Sequence, residues 1–526
     1  MKSQFLFAAL SLATTGSANT SDAGYEYFLA EAGPFAGPTA EGDAPFLAAT
    51  NPAPFGSRDA EPSREEILSL QSRGNLSPYF PNPTGFGVEE YPLPPGANIT
   101  EVHVLHRHGA RFPPASDVVE TLGATIQAAV ENGTVFTGKL DFLNSWTYKL
   151  GAETLVALGR KELYESGTQH YYNYGHLFDP AAPKLVARTT TQDRMFESAE
   201  NFLAGFFGLD WRKHAKLGAI IESAGYNNSL MSMYTCPNSQ GSHSLGGFNA
   251  LEAWKQVYLR GTTSRLRKLV EGYNWTIDDT YNAQSLCAYE TVALGYSEFC
   301  ELFTLADWEG FNYGFDLAVV AIFGFLSPTG RAQGIAWVEE FLARVQYRPF
   351  DKAGTNANMT LNADPSSFPV NQTLYFDFTH DGDILAVLTA FGLKQFAEVL
   401  PREGPPPRHR FFITSHLVPF AARLDIEIIQ TPRPVSAKRN ALGQGKDVYE
   451  RTGCTTQYVH FLLNQRTIPL GHSFPECGNR DDGWCELDTF LRIQKTSLGQ
   501  ARFDYACNGN YSVLPYGAIT NGSPVN

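Results

Sequence analysis

A histidine lies between two arginines in the run Arg107-His108-Gly109-Ala110-Arg111. A guanidinium stays charged at every pH relevant to proteins, and its fork of N–H donors matches the oxygens of a phosphate group. A neutral imidazole is a nucleophile that can attack a group held still by neighbouring cations. The spacing therefore predicts chemistry on a phosphate ester, with His108 as the nucleophile and the two arginines as phosphate ligands.

This run resembles the signature of the histidine acid phosphatases, a family that includes the fungal phytases. Thr379-His380-Asp381 resembles the second signature of that family, in which a His-Asp pair supplies the proton donor. The segment 188–194 resembles the one that carries the family's third phosphate-binding arginine, here Arg194. The matches extend from about residue 96 to residue 510 and follow the family's order.

The resemblance implies a mechanism with a covalent phosphohistidine on His108 and with Asp381 as the proton donor to the leaving group. The residues expected to bind the phosphate are Arg107, Arg111, Arg194 and His380. An aspartate donates a proton only while it is protonated, so we expect an acidic pH optimum, helped by a bound phosphate that raises the pKa of Asp381. Neither a metal ion nor another cofactor is expected, and the partners would be small-molecule phosphate esters, with phytate among the candidates.

The elements around both signatures follow one pattern, in which a strand ends at the signature and a helix begins soon after. Val102, Val104 and Leu105 predict a buried strand before the first signature, and Asp117 is placed to cap the next helix, which ends near Gly133. The segment 374–378 alternates like a strand before the second signature, and its helix stops near residue 392. In open α/β sheets, ligands bind at the carboxyl ends of the strands.

We therefore expect an α/β fold, in which a large domain has a central mixed sheet flanked by helices and a smaller α-helical cap domain is inserted. The predicted ranges are 96–190 and 345–526 for the α/β catalytic domain and 191–344 for the insertion. Residues 19–95 are rich in Pro, Gly and Ala, with one helix-like piece at 64–72, and predict an extension that wraps the body or joins subunits of a homo-oligomer.

The first 18 residues indicate a secretory signal peptide, because Lys2 precedes an apolar stretch and small residues follow it. No other apolar stretch is long enough to span a membrane, so we expect a secreted or cell-wall protein. The net charge of -14 argues against binding to nucleic acid. Eight internal sequons are candidate glycosylation sites, at Asn75, Asn98, Asn132, Asn227, Asn274, Asn358, Asn371 and Asn510.

Seven cysteines in an exported chain favour disulfides, and the odd number leaves one unpaired. The sequence alone does not fix their connectivity. The resemblance to the family implies the pairs Cys236–Cys507, Cys287–Cys300 and Cys477–Cys485. The family partner of Cys454 would lie shortly before the first signature, where this chain has no cysteine, so Cys454 is the candidate free thiol.

Other interpretations remain open at this point. The same fold could act as a phosphate-transfer mutase, which fits export poorly, or as a catalytically weak secreted protein that binds phosphorylated ligands in the same pocket. Asp383 stands two residues after Asp381, where many family members differ, and we expect it to cap the following helix. A basic run at Arg212, Lys213 and Lys216, with Lys255 further on, is the nearest candidate for a cationic rim that would suit phytate, although such runs are more often solvated.

Overall fold

The structure is a computed structural model that describes residues 63–351, 354–439 and 448–525. The predicted signal peptide and residues 19–62 of the predicted extension lie outside this range. The strands are β1 Asn98–Arg107, β2 Val135–Phe136, β3 Leu185–Thr190, β4 Ala215–Ile220, β5 Val270–Glu271, β6 Leu374–Thr379, β7 Arg423–Thr431, β8 Thr456–Leu463, β9 Arg466–Thr467 and β10 Cys485–Glu486. The helices are α1 Arg64–Leu70, α2 Val118–Glu131, α3 Ala157–Tyr174, α4 Asp193–Phe207, α5 Leu245–Tyr258, α6 Arg260–Arg267, α7 Ile277–Leu294, α8 Leu305–Ile322, α9 Gly330–Val345, α10 Met359–Asn362, α11 Asp381–Phe391, α12 Thr414–Leu417, α13 Leu487–Gln494, α14 Ser497–Ala501 and α15 Phe503–Asn508.

The central sheet is mixed and has the strand order β10-β8-β7-β1-β6-β3-β4, with β9 paired to β8. Strands β1, β6, β3 and β4 are parallel to one another. Strand β7 pairs antiparallel with β1 and with β8, and it thereby joins the parallel half to an antiparallel half. The predicted fold class, a mixed sheet with flanking helices, is confirmed.

Helices cover both faces of the sheet because its strands are apolar on both sides. On one face, Val104 of β1 and Phe376 of β6 pack in a cluster with Phe202 of α4. On the other face, Leu105 of β1 packs in a cluster with Ile384 and other residues of α9 and α11. The strand that carries the first signature is therefore held from both sides, and its carboxyl end has a fixed position.

The range predicted for the helical insertion, 191–344, includes elements that belong with the central sheet. Strand β4 lies inside the range 191–344, yet it pairs in parallel with β3 in the central sheet. At the other end, Trp337 and Arg344 of α9 donate hydrogen bonds to Asp377 of β6, so α9 also belongs with the sheet. We therefore propose that the insertion begins after β4, because this short apolar segment is a buried strand of the sheet. Helices α5 to α8 lie between β4 and α9, and we propose that they form the insertion.

The described part of the predicted extension lies against the body of the protein. Helix α1 forms where a helix was expected, with Ser63 and Glu66 in a reciprocal capping box. Its residue Leu70 is buried, and the following turn leads the chain past the carboxyl end of β1. Among the described residues, no helix combines the length and the apolar character needed to cross a bilayer.

Candidate active site

The two signatures meet at the carboxyl edge of the sheet. Strands β1 and β6 are parallel neighbours, with Arg107 in register with Thr379. The backbone N–H of His108 donates to the carbonyl of Thr379 over 3.2 Å, so the pairing continues one residue beyond β1. Arg194 lies in the first turn of α4, which follows β3 on the far side of β6. One edge of the sheet thus brings together all three segments singled out in the sequence.

The imidazole of His108 is oriented by its own backbone. Its Nδ1 lies 2.8 Å from the carbonyl oxygen of Gly109, and because a carbonyl only accepts, Nδ1 carries the proton. The lone pair is therefore on Nε2. Burial lowers the pKa of His108 well below its usual value, and the nearby Arg107, Arg194 and Arg111 lower it further. These shifts favour the neutral form of the ring, which is the form that a nucleophile needs.

Arg107 is held by backbone carbonyls. Its Nη1 donates to the carbonyls of Asn75 and Val418 over 2.6 and 2.7 Å, and the guanidinium lies over the ring of Phe420. Burial lowers the pKa of Arg107 to about 10, which still leaves it fully charged at acidic and neutral pH. Carbonyl partners fix its position and leave its net positive charge in place.

Arg111 and Arg194 complete a cationic pocket. Arg111 donates through Nη1 to the carbonyl of Phe112 over 2.8 Å. Arg194 forms an ion pair with Glu153, a residue with the left-handed φ of 64° that is uncommon outside glycine. The Nε–H groups of Arg107, Arg111 and Arg194 are all buried and have no hydrogen-bond partner among the described residues. Such orphaned charged donors fit an anionic ligand.

His380 is positioned by an acidic residue that the sequence did not reveal. Its Nε2 lies 3.1 Å from Oε2 of Glu222, which also accepts from the hydroxyl of Thr190 over 2.5 Å. Burial alone would raise the pKa of Glu222, but His380 and the hydrogen bonds to it outweigh burial and lower that pKa. The rings of His380 and His108 are 5.6 Å apart. No motif marks Glu222, since it lies in the loop after β4 and reaches the site only through the fold.

Asp381 has two charged or polar partners in addition to the backbone N–H of Gly382. Its Oδ2 lies 3.0 Å from Nη2 of Arg107 and accepts from Nδ2 of Asn75 over 2.6 Å. Burial would raise the pKa of Asp381, but Arg107, the hydrogen bond from Asn75 and Arg111 outweigh it and lower the pKa to about 2. Without a bound anion this carboxyl group is ionised at the pH values where an acid phosphatase would work.

Two of the eight expected glycosylation sites have side chains that contact other residues inside the protein. Nδ2 of Asn75, the atom to which a glycan would be attached, faces Asp381 in the candidate active site. Asn358 is only 4% exposed, and its Nδ2 donates to the carbonyl of Asn227. A glycan at either position would have no room, so we propose that these two sequons are not glycosylated. The remaining sequons are exposed, at Asn98, Asn132, Asn227, Asn274, Asn371 and Asn510.

Asp383 has a different contact from the one expected. It lies in the first turn of α11, but its Oδ1 accepts from the backbone N–H and the hydroxyl of Ser232, over 3.0 and 2.9 Å. Burial raises the pKa of Asp383 to about 6. This carboxyl group therefore anchors the loop after β4 instead of capping its own helix.

The structure contains three disulfides, and they join the pairs implied by the family resemblance. Two of them close short loops of the chain, and the third connects residues 271 positions apart. These disulfides are Cys477–Cys485, Cys287–Cys300 and Cys236–Cys507. Cys454 is exposed and forms no disulfide, so it is the free thiol of the seven cysteines.

An unprotonated imidazole nitrogen inside a pocket of fixed arginines equips this site for phosphoryl transfer. A protein with such a site is classed with the histidine-dependent phosphatases. Comparison with known families agrees, since a model of the histidine phosphatase superfamily (branch 2) matches residues 98–464. The chain belongs to this superfamily, and it is an enzyme of the histidine acid phosphatase kind.

Curated relatives from fungi support the same assignment. The chain is 32% identical over 431 residues to phytase A of Aspergillus terreus, covering 79% of this chain and 85% of the relative. It is 30% identical over 465 residues to an acid phosphatase of Schizosaccharomyces pombe, covering 84% and 90%. Among solved structures, the phytase from D. castellii superposes with a TM-score of 0.63 at 22% identity, covering 85% of this chain and 89% of that chain, which supports the fold.

Proposed function

We propose that the protein is a secreted phosphomonoesterase that works through a phosphohistidine on His108. The observation that carries this proposal is a buried imidazole whose Nε2 keeps its lone pair, beside three buried guanidinium groups. Each guanidinium has an Nε–H donor with no partner in the described part of the chain. The donors can hold the non-bridging oxygens of a phosphate and offset the charge that develops in the transition state. When both of its ring nitrogens carry a proton, His380 can donate a further hydrogen bond from Nδ1 while its Nε2–H donates to Glu222.

In the first step, the lone pair on Nε2 of His108 attacks phosphorus, and the bond from phosphorus to the ester oxygen breaks. Asp381 transfers its proton to that oxygen, and the alcohol leaves. In the second step, water attacks phosphorus, the phosphorus–nitrogen bond breaks, and the Asp381 carboxylate takes a proton from the water. Inorganic phosphate is released, and both side chains return to their starting states.

The low pKa of Asp381 places a condition on the first step. The pKa is low because Arg107 and Asn75 both contact Oδ2. A bound phosphate would compete with Asp381 for Arg107, and its own negative charge would raise the pKa of the carboxyl group. The proton donor would thus form only together with the substrate, and acidic conditions would favour it. This reasoning supports the expected acidic optimum.

The structure favours a broad substrate range with phytate as one substrate. Relatives of this chain are named phytases, which supports activity on phytate. Three of the four cations of the candidate phytate rim form ion pairs with other residues. Arg212 pairs with Glu200, Lys213 with Asp210, and Lys255 with Glu252 and Asp278. Phosphate binding therefore relies on the catalytic arginines, which any phosphate monoester can use.

Steady-state kinetics between pH 3 and 6 test this function. We expect turnover of p-nitrophenyl phosphate, glycerol 2-phosphate and phytate, and none of them with His108→Ala. Asp381→Asn should lose about 100-fold or more in kcat on glycerol 2-phosphate. It should lose much less on p-nitrophenyl phosphate, whose leaving group needs no proton. Full activity of His108→Ala would exclude the proposed nucleophile, and equal losses on both substrates would exclude Asp381 as the proton donor.

Export is proposed on three features of the chain. These are the predicted signal peptide, the disulfides and the exposed sequons. After expression in a fungal host, the protein should accumulate in the medium or wall with an N-terminus near residue 19, and retention inside the cell would contradict export. Association through residues 19–95 stays a prediction, which sedimentation of the full chain and of a chain lacking residues 19–62 would test.

A further inference from the structure

A second cationic cleft lies away from the candidate active site. It has a volume of about 930 Å³ and is bounded by the end of α11, the helices α13 and α14, and the C-terminal segment 521–525. Among the described residues that line it, four are cations, namely Arg331, Lys394, Arg492 and Arg502, and one is a carboxylate, Glu476. This excess of positive charge stands out in a chain whose net charge is -14.

Arg331 is the most buried of the four cations, with only 4% of its surface exposed. Its Nε donates to the carbonyl of Asn521 over 2.7 Å, and its Nη1 lies 3.3 Å from the carbonyl of Ala390 at the end of α11. No carboxylate of the described residues lies within ion-pair distance of it, and burial lowers its pKa to about 10. These two carbonyls, one of them at the end of a helix, offset part of the positive charge of Arg331. In the described part of the chain they accept from only two of its five N–H donors.

Two of the other cations, Lys394 and Arg492, also have charge to offer. Lys394 and Arg492 are exposed and form no ion pair with a carboxylate in the described part of the chain. Arg492 donates only to the hydroxyl of Thr489, over 2.9 Å. Arg502 donates to the carbonyl of Pro524, over 3.3 Å. The cations come from α9, α13 and the segments after α11 and α14, so they surround the cleft from several sides.

We infer that this cleft binds a small anion that carries several phosphate or sulfate groups. Forked guanidinium donors match such groups, and burying one cation without a carboxylate is compensated when an anion binds. The cleft is separate from the catalytic pocket, because Asp381 begins α11 and Gly392 follows its end, and eleven residues of helix span roughly 16 Å. An anion here would bridge α9, α13 and the C-terminal segment, and would stabilise the folded protein.

Calorimetry with myo-inositol hexakis-sulfate, which the enzyme cannot hydrolyse, tests the inference. The wild-type protein should bind two molecules, one in the catalytic pocket and one in the cleft. The double variant Lys394→Gln/Arg492→Gln should lose affinity at one site by about ten-fold or more, because two favourable charges are removed. Arg111→Gln should weaken binding in the catalytic pocket. Each variant should therefore retain the site that the other variant has lost.

A matched control removes the same charge elsewhere. Lys213→Gln/Lys438→Gln changes two exposed lysines that pair with Asp210 and Asp481, and it should retain both sites. A single site in the wild type, or a second site unaffected by the cleft variant, would overturn the inference. Inorganic phosphate should bind the cleft at least ten-fold more weakly than the hexasulfate. Equal affinities would refute a multiply charged ligand.

Discussion

Replacing Asn75 should change the pH dependence of catalysis without removing any group from the reaction. Nδ2 of Asn75 donates to Oδ2 of Asp381 over 2.6 Å, and this bond favours the ionised carboxylate. A hydrogen bond to a charged group contributes about 1.5–3 kcal/mol, and one unit of pKa corresponds to about 1.4 kcal/mol. Asn75→Leu, which has a similar size and no donor, should therefore raise the pKa of Asp381 by about one unit.

The assay is the pH profile of kcat on glycerol 2-phosphate, whose leaving group needs a proton. Because Asp381 must be protonated to act, a higher pKa lets the donor work at higher pH. The alkaline limb of the profile should move upward by about one pH unit in Asn75→Leu, whereas a purely structural effect would lower kcat at every pH alike.

The matched control is Asn132→Leu, which removes an exposed sequon asparagine far along the chain at the end of α2. It should leave the limb where it is in the wild type. The reasoning would be refuted if Asn75→Leu were folded and active with an unmoved limb, or if both variants moved it equally.

Three further outcomes are expected. Glu222→Gln should lower kcat roughly ten-fold with little change in KM, because it weakens the support of His380 in the transition state; unchanged kcat in steady-state assays would argue against that support. Burial raises the pKa of Glu290 from 4.5 to about 7, so the folded state keeps a proton that the unfolded state releases, and stability is lost as pH rises from about 4.5 to 7. Glu290→Gln, which can still contact Trp146 and Ser297, should thus be more stable at pH 7 by up to about 3 kcal/mol and little changed at pH 4.5, as measured by urea unfolding; equal changes at both pH values would contradict this. Glycopeptide mapping should find glycans among the exposed sequons and none at Asn75 or Asn358, and occupancy at either would contradict the contacts described for them.

Sequence patterns over a few neighbouring residues predicted the strands and helices next to the site well. The strand before the first signature and the helix after it are present, and Asp117 caps that helix by accepting from the N–H of Val119. Gly392 ends α11 in the left-handed conformation that a helix terminus favours. These features depend on residues close in sequence, so periodicity and capping rules were enough to find them.

Features that depend on contacts between distant segments were missed. Glu222 and Glu153 approach His380 and Arg194 only after the sheet has formed, and neither belongs to a recognisable motif. The sequence places strand β4 within a predicted helical region, because the apolar pattern of so short a segment is the same for a buried strand and a buried helix. Asn75 matched a glycosylation triplet, and only the path of the chain after α1 shows that its side chain meets Asp381.

The central claim is that His108 carries the phosphoryl group between the two steps. Protein mixed with a ³²P-labelled ester and denatured within milliseconds in alkaline detergent, where phosphorus–nitrogen bonds survive, should retain label on the peptide that contains residues 107–111. Asp381→Asn should retain label with p-nitrophenyl phosphate as the donor, and His108→Ala should retain none. Label on a different residue, or no label from an actively turning-over enzyme, would contradict the account.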